Sequence, residues 1–373
     1  MVVCPAHRRI WSRFGDVAML DCKSQIESAS GAKPPADRRI SLEHSPTTVS
    51  TPAAWLSLLA AYRKADNRRA ILEIVVTAVP FAALWVLMAL LSSVSVWLTL
   101  LLAIPTGGFM VRLFMIQHDC GHGAMFTSRR ANDWVGRVIG VLTFTPYDFW
   151  RHSHALHHAS SGNLDRRGFG DIDTLTIEEY QARSLMGKLR YRVYRHPIVM
   201  FGIGPAYLFI LQHRLPVGAM GPRIMPWLST MLTNAAIAAL IVGLAWLLGF
   251  GGLLTVQLPI VLIGASIGVW LFYVQHQFER TSWEHDPQWT HANASLHGSS
   301  FYDLPRPLMW ITGNIGIHHL HHLCSRIPFY RLPEVLSDHP ELRKIGRVTL
   351  WQSLKCVRLA LWDERRKQMV PFA

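Results

Sequence analysis

Three histidine clusters hold most of the chemistry legible in this chain: HDCGH (His118 to His122), HSHALHH (His152 to His158) and HHLHH (His318 to His322). Imidazole is a good ligand for iron, copper, zinc and nickel. His118 and His122 are four residues apart, so on a helix they share one face. His154, His157 and His158 form an HxxHH pattern. Two of its imidazoles share a face and the adjacent one reaches sideways, towards a second metal. His318, His321 and His322 repeat the pattern. A lone histidine at a helix end is ordinarily an interfacial residue, but His276, in YVQHQFE, ends a long apolar run on the same side. It becomes the ninth candidate ligand. Nine imidazoles suit two metal ions with positions left for oxygen. Structural zinc sites usually employ cysteine in closed sets of four. Cys120 would point off the face shared by His118 and His122, as a small packed residue. Histidine-only ligation with open positions favours redox iron that binds O2.

The elements that must position these residues are apolar. Two long runs come first, Ile74–Leu91 and Val94–Phe114, separated by Ser92-Ser93; two more follow, Trp227–Leu248 and Leu254–Val274, joined by the Gly-rich turn Gly249 to Gly252. Each is close to the roughly 20 residues that span a bilayer as a helix. Arg63, Lys64, Arg68 and Arg69 precede the first run, and Arg129, Arg130, Arg137, Arg151, Arg166 and Arg167 follow the second. This bias places both termini and the middle loop in the cytoplasm, at the inner membrane if the source is bacterial. Val135–Thr145 is too short to span. Ile198–Leu211 carries Gly202, Gly204 and Pro205. Both read as interfacial or re-entrant segments, which keeps the clusters on one membrane face. The expected fold is an all-α integral membrane protein. Four transmembrane helices (74–91, 94–114, 227–248 and 254–274) form two hairpins under a cytoplasmic helical cap that holds the metals. Residues 1–69 read as a cytoplasmic tail and pre-membrane helix, 70–336 as the membrane domain, and 337–373 as a charged, partly helical cytoplasmic tail.

Composition agrees. Half of the 373 residues are hydrophobic and mean hydropathy is +0.20, high for a soluble enzyme. The formal charge of +13 fits positive-inside orientation and anionic lipid; the four apolar runs exclude a soluble nucleic-acid binder. Five cysteines without a CxxC pair argue against a disulfide framework. A metal transporter would need ionisable residues along its helices. Here the long runs offer little beyond Glu73 and Arg112.

HDCGH, WRHSHALHHASSGNLDRRGFGD and GNIGIHHLHHLCSRIPFYRLPE resemble the membrane fatty acid desaturase family, over roughly residues 70–336. The wording is most similar to the acyl-lipid omega-6, or delta-12, branch. The resemblance implies a di-iron centre on His118, His122, His154, His157, His158, His276, His318, His321 and His322. It implies O2-dependent insertion of a cis double bond into a membrane-lipid acyl chain. A hydroxylase acting on acyl, carotenoid or alkane substrates is the alternative on the same scaffold. Unactivated C–H bonds offer a side-chain base no acidic proton, so the metal must generate the oxidant. In the stearoyl-CoA branch an Asn one turn before the helix histidine holds a water on iron; here that position is Phe272. Trp150, Phe149, Phe272, Trp270 and Trp310 are candidates to line an acyl tunnel or to pack against the bilayer. Among carboxylates that could orient imidazoles, Asp165 and Asp171 are preferred over Asp119 and Asp148, and Asn314 is a further polar neighbour. His152 and His319 are expected to take surface or supporting roles, and His285, His291 and His297 structural ones. His196-Pro197-Ile198 and His339-Pro340-Glu341 lack the glycines of a fused haem domain's HPGG motif. The implied electron donor is therefore separate, ferredoxin or cytochrome b5, drawn by the basic face.

Overall fold

The computed structural model describes residues 52–168, 170–216 and 224–372; residues 1–51 of the segment expected as tail and pre-membrane helix over 1–69 lie outside them. The described residues open with the short helix α1 (Pro52–Leu59). The compact unit that begins at Leu59 is mostly helical. Helix α2 (Asn67–Leu91) starts where the Asp66 side chain accepts the N–H groups of Arg68 and Arg69, which satisfies the orphan donors of its first turn. Ser92 and Ser93 turn the chain, and the Ser95 side chain caps α3 (Val96–Gly121). This helix thus runs about two turns beyond the apolar stretch and carries His118 within it.

Helix α4 (Arg129–Leu142) has 14 residues. Its Asn132, Gly136, Ile139 and Gly140 are buried, while Trp134 and Val138 are exposed. This leaves one exposed apolar edge beside a buried face, the pattern expected of an interfacial helix. Helix α5 (Tyr147–Ser160) follows. Short helices α6 (Ile177–Gln181) and α7 (Leu185–Tyr194) come next, and the second expected interfacial stretch forms a π-helical turn (Val199–Ile203) that runs into α8 (Gly204–Ile210).

Helix α9 (Ile224–His276) contains both later apolar runs. It cannot be straight. Ser229 donates to Asp148 at 2.5 Å, and His276 Nε2 lies 3.2 Å from His157 Nε2. At 1.5 Å per residue, a straight helix would put Ser229 and His276 about 70 Å apart, against about 14 Å between Asp148 and His157 along α5. The fold-back occurs at Gly249, whose φ of 70° and ψ of 167° are open essentially to glycine alone. Its two arms pack with α2 and α3 around Met88, Ala103, Met110, Ile237, Val256 and Ile260. Trp85 on α2 donates to Gln257 on the second arm. Among the described residues, three helices are long and apolar enough to cross a membrane, at 67–91, 96–121 and 226–276; the last holds both arms.

Helices α10 (His291–His297), α11 (Arg306–Ile311), α12 (His318–Leu323), α13 (Leu332–Asp338) and α14 (Leu350–Cys356) complete the unit with five short strands. β2 (Phe301–Asp303) pairs in parallel with β3 (Arg347–Thr349). β1 (Leu175–Thr176), β4 (Leu361–Asp363) and β5 (Gln368–Val370) form a sheet in the order β1-β4-β5. The expectation of an all-α fold missed these strands, each only two or three residues long. The segment expected as a charged tail is tied to the body by them: Leu361 pairs opposite Leu175, and Arg347 opposite Phe301.

Candidate metal centre

All nine candidate histidines converge. His118, His122, His154, His158 and His321 form one group, and His157, His276, His318 and His322 a second; within each, the ligand atoms lie within 4.8 Å of one another. The long helices serve one group each: α3 supplies His118 and, at its C-cap, His122, and the second arm of α9 supplies His276. The short helices serve both. Adjacent residues His157 and His158 of α5 enter different groups, as do His321 and His322 of α12. Backbone and side-chain bonds fix the approach of α9 to α12. Gln275 donates to the Ile315 carbonyl and accepts at its own carbonyl from the Ser300 N–H.

The nitrogen geometry calls for a cation. His154 Nε2 stands 3.0 Å from His118 Nε2, 3.1 Å from His122 Nε2 and 3.1 Å from His158 Nε2. His276 Nε2 stands 3.2 Å from His157 Nε2 and 3.0 Å from His318 Nε2. A ring nitrogen carries one proton or one lone pair, so one Nε2 cannot hydrogen-bond to three others. A shared metal ion satisfies all of them. With metal–nitrogen bonds of about 2.1 Å, neighbouring ligand atoms stand about 3 Å apart. His322 Nε2, buried in the second group, has no hydrogen-bond partner either. Burial, reinforced by neighbouring imidazoles, holds His154, His158, His318, His321 and His322 well below the usual histidine range, and His122 is pushed down to about 3. These rings are neutral near pH 7, the state in which imidazole binds metal.

Carboxylates orient two of the imidazoles. Asp171 takes the Nδ1–H of His157 through a short contact, which turns that ring's Nε2 lone pair inward. Asp119 does the same for His118 at 3.2 Å and also accepts the Phe329 N–H at 2.6 Å. Sequence reasoning ranked Asp119 below Asp165, and the structure reverses this. Asp165 pairs with His285, the two side chains being 44% and 50% exposed. Asn314 donates to the Phe329 carbonyl at 3.2 Å. Asp148 is held by Arg137 and Ser229. His319 is buried against the Leu342 carbonyl, and burial pushes it down to about 4. Cys120 packs with Leu113, Ile116 and Met125.

Of the aromatic residues expected beside the centre, two reach it. Trp150 stacks on His154 with ring centroids 4.6 Å apart, and Phe272 lies 5.0 Å from both His157 and His276. Phe149 contacts His213, Trp270 contacts Phe201, and Trp310 lies over Arg112.

Comparison with known proteins bears on the same residues. A family model described as fatty acid desaturase matches residues 95–353, a range that contains every histidine of both groups. A fatty acid desaturase of Bacillus subtilis (strain 168) is 45% identical over 314 residues, which cover 84% of this chain and 89% of that protein. An omega-3 fatty acid desaturase of the endoplasmic reticulum from Vigna radiata is 28% identical, over 63% of each chain. An sn-1 acyl-lipid omega-3 desaturase (ferredoxin) of Synechocystis is 28% identical, over 59% of this chain and 61% of that one. An apolar scaffold that gathers its histidines into two adjacent groups, with this likeness over most of its length, is an oxidoreductase that belongs to the fatty acid desaturase family.

Proposed function

We propose that the chain inserts a cis double bond into an acyl chain of a membrane lipid, at the omega-6 or delta-12 position, with two irons held by the nine histidines. The observation that carries this reading is the convergence of Nε2 atoms on His154 and on His276, which hydrogen bonding cannot satisfy. Two irons held there would supply, with O2 and external electrons, an oxidant able to break unactivated C–H bonds. The protein's own groups do the rest. Asp171 and Asp119 aim their imidazoles. Trp150 and Phe272 offer apolar faces beside each group, where a methylene pair can lie and water is disfavoured. The two arms of α9, with α2 and α3, span the bilayer as four helices, and the centre and both termini face the cytoplasm. A separate ferredoxin is the donor we favour, in line with the name of the Synechocystis relative; cytochrome b5 is the other carrier of this kind. Hydroxylation is not favoured, since the relatives reported above carry desaturase names. The likeness to omega-3 enzymes, at 28% identity, is too distant to set the position.

The test is a fatty-acid profile of host membranes expressing the chain with a ferredoxin system. Double bonds are mapped by mass spectrometry, beside His157→Ala. The expected result is a new unsaturated product that the variant lacks. A hydroxylated product would overturn the reading, and a double bond elsewhere would overturn the assigned position.

A further inference from the structure

Glu73 and Arg112 are buried in the apolar helices and touch neither histidine group. Arg112 is 1% exposed and Glu73 2%. Arg112 pairs with Glu73 at 2.5 Å and donates to Thr77 at 3.1 Å, both on α2. Its remaining arm reaches the Trp310 carbonyl in the last turn of α11 through a short contact, and its guanidinium lies 4.0 Å from the Trp310 ring centroid. The contact belongs to a longer seam. Gly108, Arg112, Met115 and Asp119 follow at spacings of four, three and four, one face of α3. A Cβ on Gly108 would meet Ile311 at 3.2 Å, and one on Gly313 would meet Met115 at 2.8 Å. Asp119 accepts the Phe329 N–H. Residues 310–329 are thus docked along α3 at four successive points, and that segment carries His318, His321 and His322. The His118 and His321 rings end 4.5 Å apart.

We propose that Arg112 is a positioning residue for the metal centre: it sets the register of the third histidine cluster on α3 through the Trp310 carbonyl. The proposal rests on the metal-centre reading above. A buried ion pair adds little net stability, and apolar replacement of both partners is often neutral. Stability alone therefore gives no reason for a charged fork here, whereas three directed bonds to two elements do.

Two variants separate register from stability. Arg112→Met with Glu73→Leu removes the donor to Trp310. Arg112→Lys, with Glu73 retained, keeps the ion pair and an ammonium that can donate to the same carbonyl. We expect the Met/Leu pair to fold and to hold iron about 10–100-fold more weakly, the range for lost supporting contacts around metal ligands. Metal-free, it should take up deuterium faster across residues 310–329. The Lys variant should stay close to wild type on both readouts. If Met/Leu does not fold, Arg112→Asn with Glu73→Gln, too short to reach the carbonyl, replaces it in the same comparison. Unchanged iron affinity and exchange in the variant lacking the donor would overturn the proposal. Wild-type protein that binds no iron would instead overturn the metal-centre reading, leaving the exchange measurement to decide the role of Arg112.

Discussion

In the five-histidine group His122, His154 and His158 are only half-buried, whereas His157, His276, His318 and His322 of the second group are all buried. The two groups share α5 and α12, so their separation is fixed by two short helices. What differs is the surroundings. The first group has one more histidine than the second, and Trp150 stacks on its half-buried His154. The second is closed by Phe272 and braced by Asp171. The difference teaches that the two groups are not equally accessible: the five-histidine group is the more open to its surroundings, while the four-histidine group is enclosed and has no histidine beyond a set of four.

The strongest way to break this comparison is to remove one ligand from each group. His276→Ala leaves three histidines in the closed group. His122→Ala leaves four in the open one. Losing even a supporting contact costs about 10–100-fold in metal affinity, so losing a ligand from a set of four should cost at least about 100-fold. We expect His276→Ala to drop to about one iron per chain and to lose product formation, and His122→Ala to keep more iron and some turnover. Iron per chain after passage over a chelating resin measures this. Equal losses would show that the groups are not inequivalent in the way their burial implies.

The gathering of the nine histidines was legible because their spacing states the geometry. Residues at i and i+4 share a helix face, and the HxxHH pattern sends neighbours to two groups. The two hairpins were legible from uninterrupted apolar runs, and the bend from Gly249 to Gly252. The carboxylates beside the histidines were legible only in part: Asp171, which meets His157, was a preferred candidate, and Asp119, which meets His118, was not. Asp119 acts through the Phe329 N–H, 210 residues further on, a contact that no local pattern encodes. Asp165 and Asp171 sit in one phrase, yet the first turns to His285 and the second to His157. Proximity in sequence to a histidine cluster says nothing of direction in an irregular loop. The short strands escaped for a related reason. Two or three residues cannot show alternation, and the partners of Leu175 and Phe301 lie far along the chain.

Asp171→Asn sharpens the comparison without removing a ligand. The carboxylate is buried and holds the Nδ1–H of His157; an amide keeps the shape and loses the charge. Iron in the closed group should weaken by about 10–100-fold, as for other partners of metal-bound histidines, while iron in the open group is retained. Two-phase iron release with only the slower phase accelerated is the expected signature. A uniform change in both phases would count against the assignment of Asp171 to one group.

The smallest effect is expected at Asp165, the carboxylate that sequence favoured. Its bond to His285 at 2.6 Å joins two half-exposed side chains, and exposed ion pairs contribute about 1 kcal/mol or less. Asp165→Asn should leave iron content unchanged and lower thermal stability slightly. The sign of its pH dependence follows from His285, whose pKa is raised chiefly by the hydrogen bond to Asp165. A histidine with a raised folded-state pKa contributes stability that is fully present below its unfolded value near 6.5 and is lost as pH rises through the folded value. The gap between wild type and Asp165→Asn should therefore be widest in mildly acidic buffer and narrow as pH rises, down to what the Asp286 N–H bond to the same carboxylate still contributes. A stability difference that does not depend on pH would remove His285 from the account. A loss of iron would return Asp165 to the centre, because a surface pair with no path to either histidine group has no physical means of loosening a ligand.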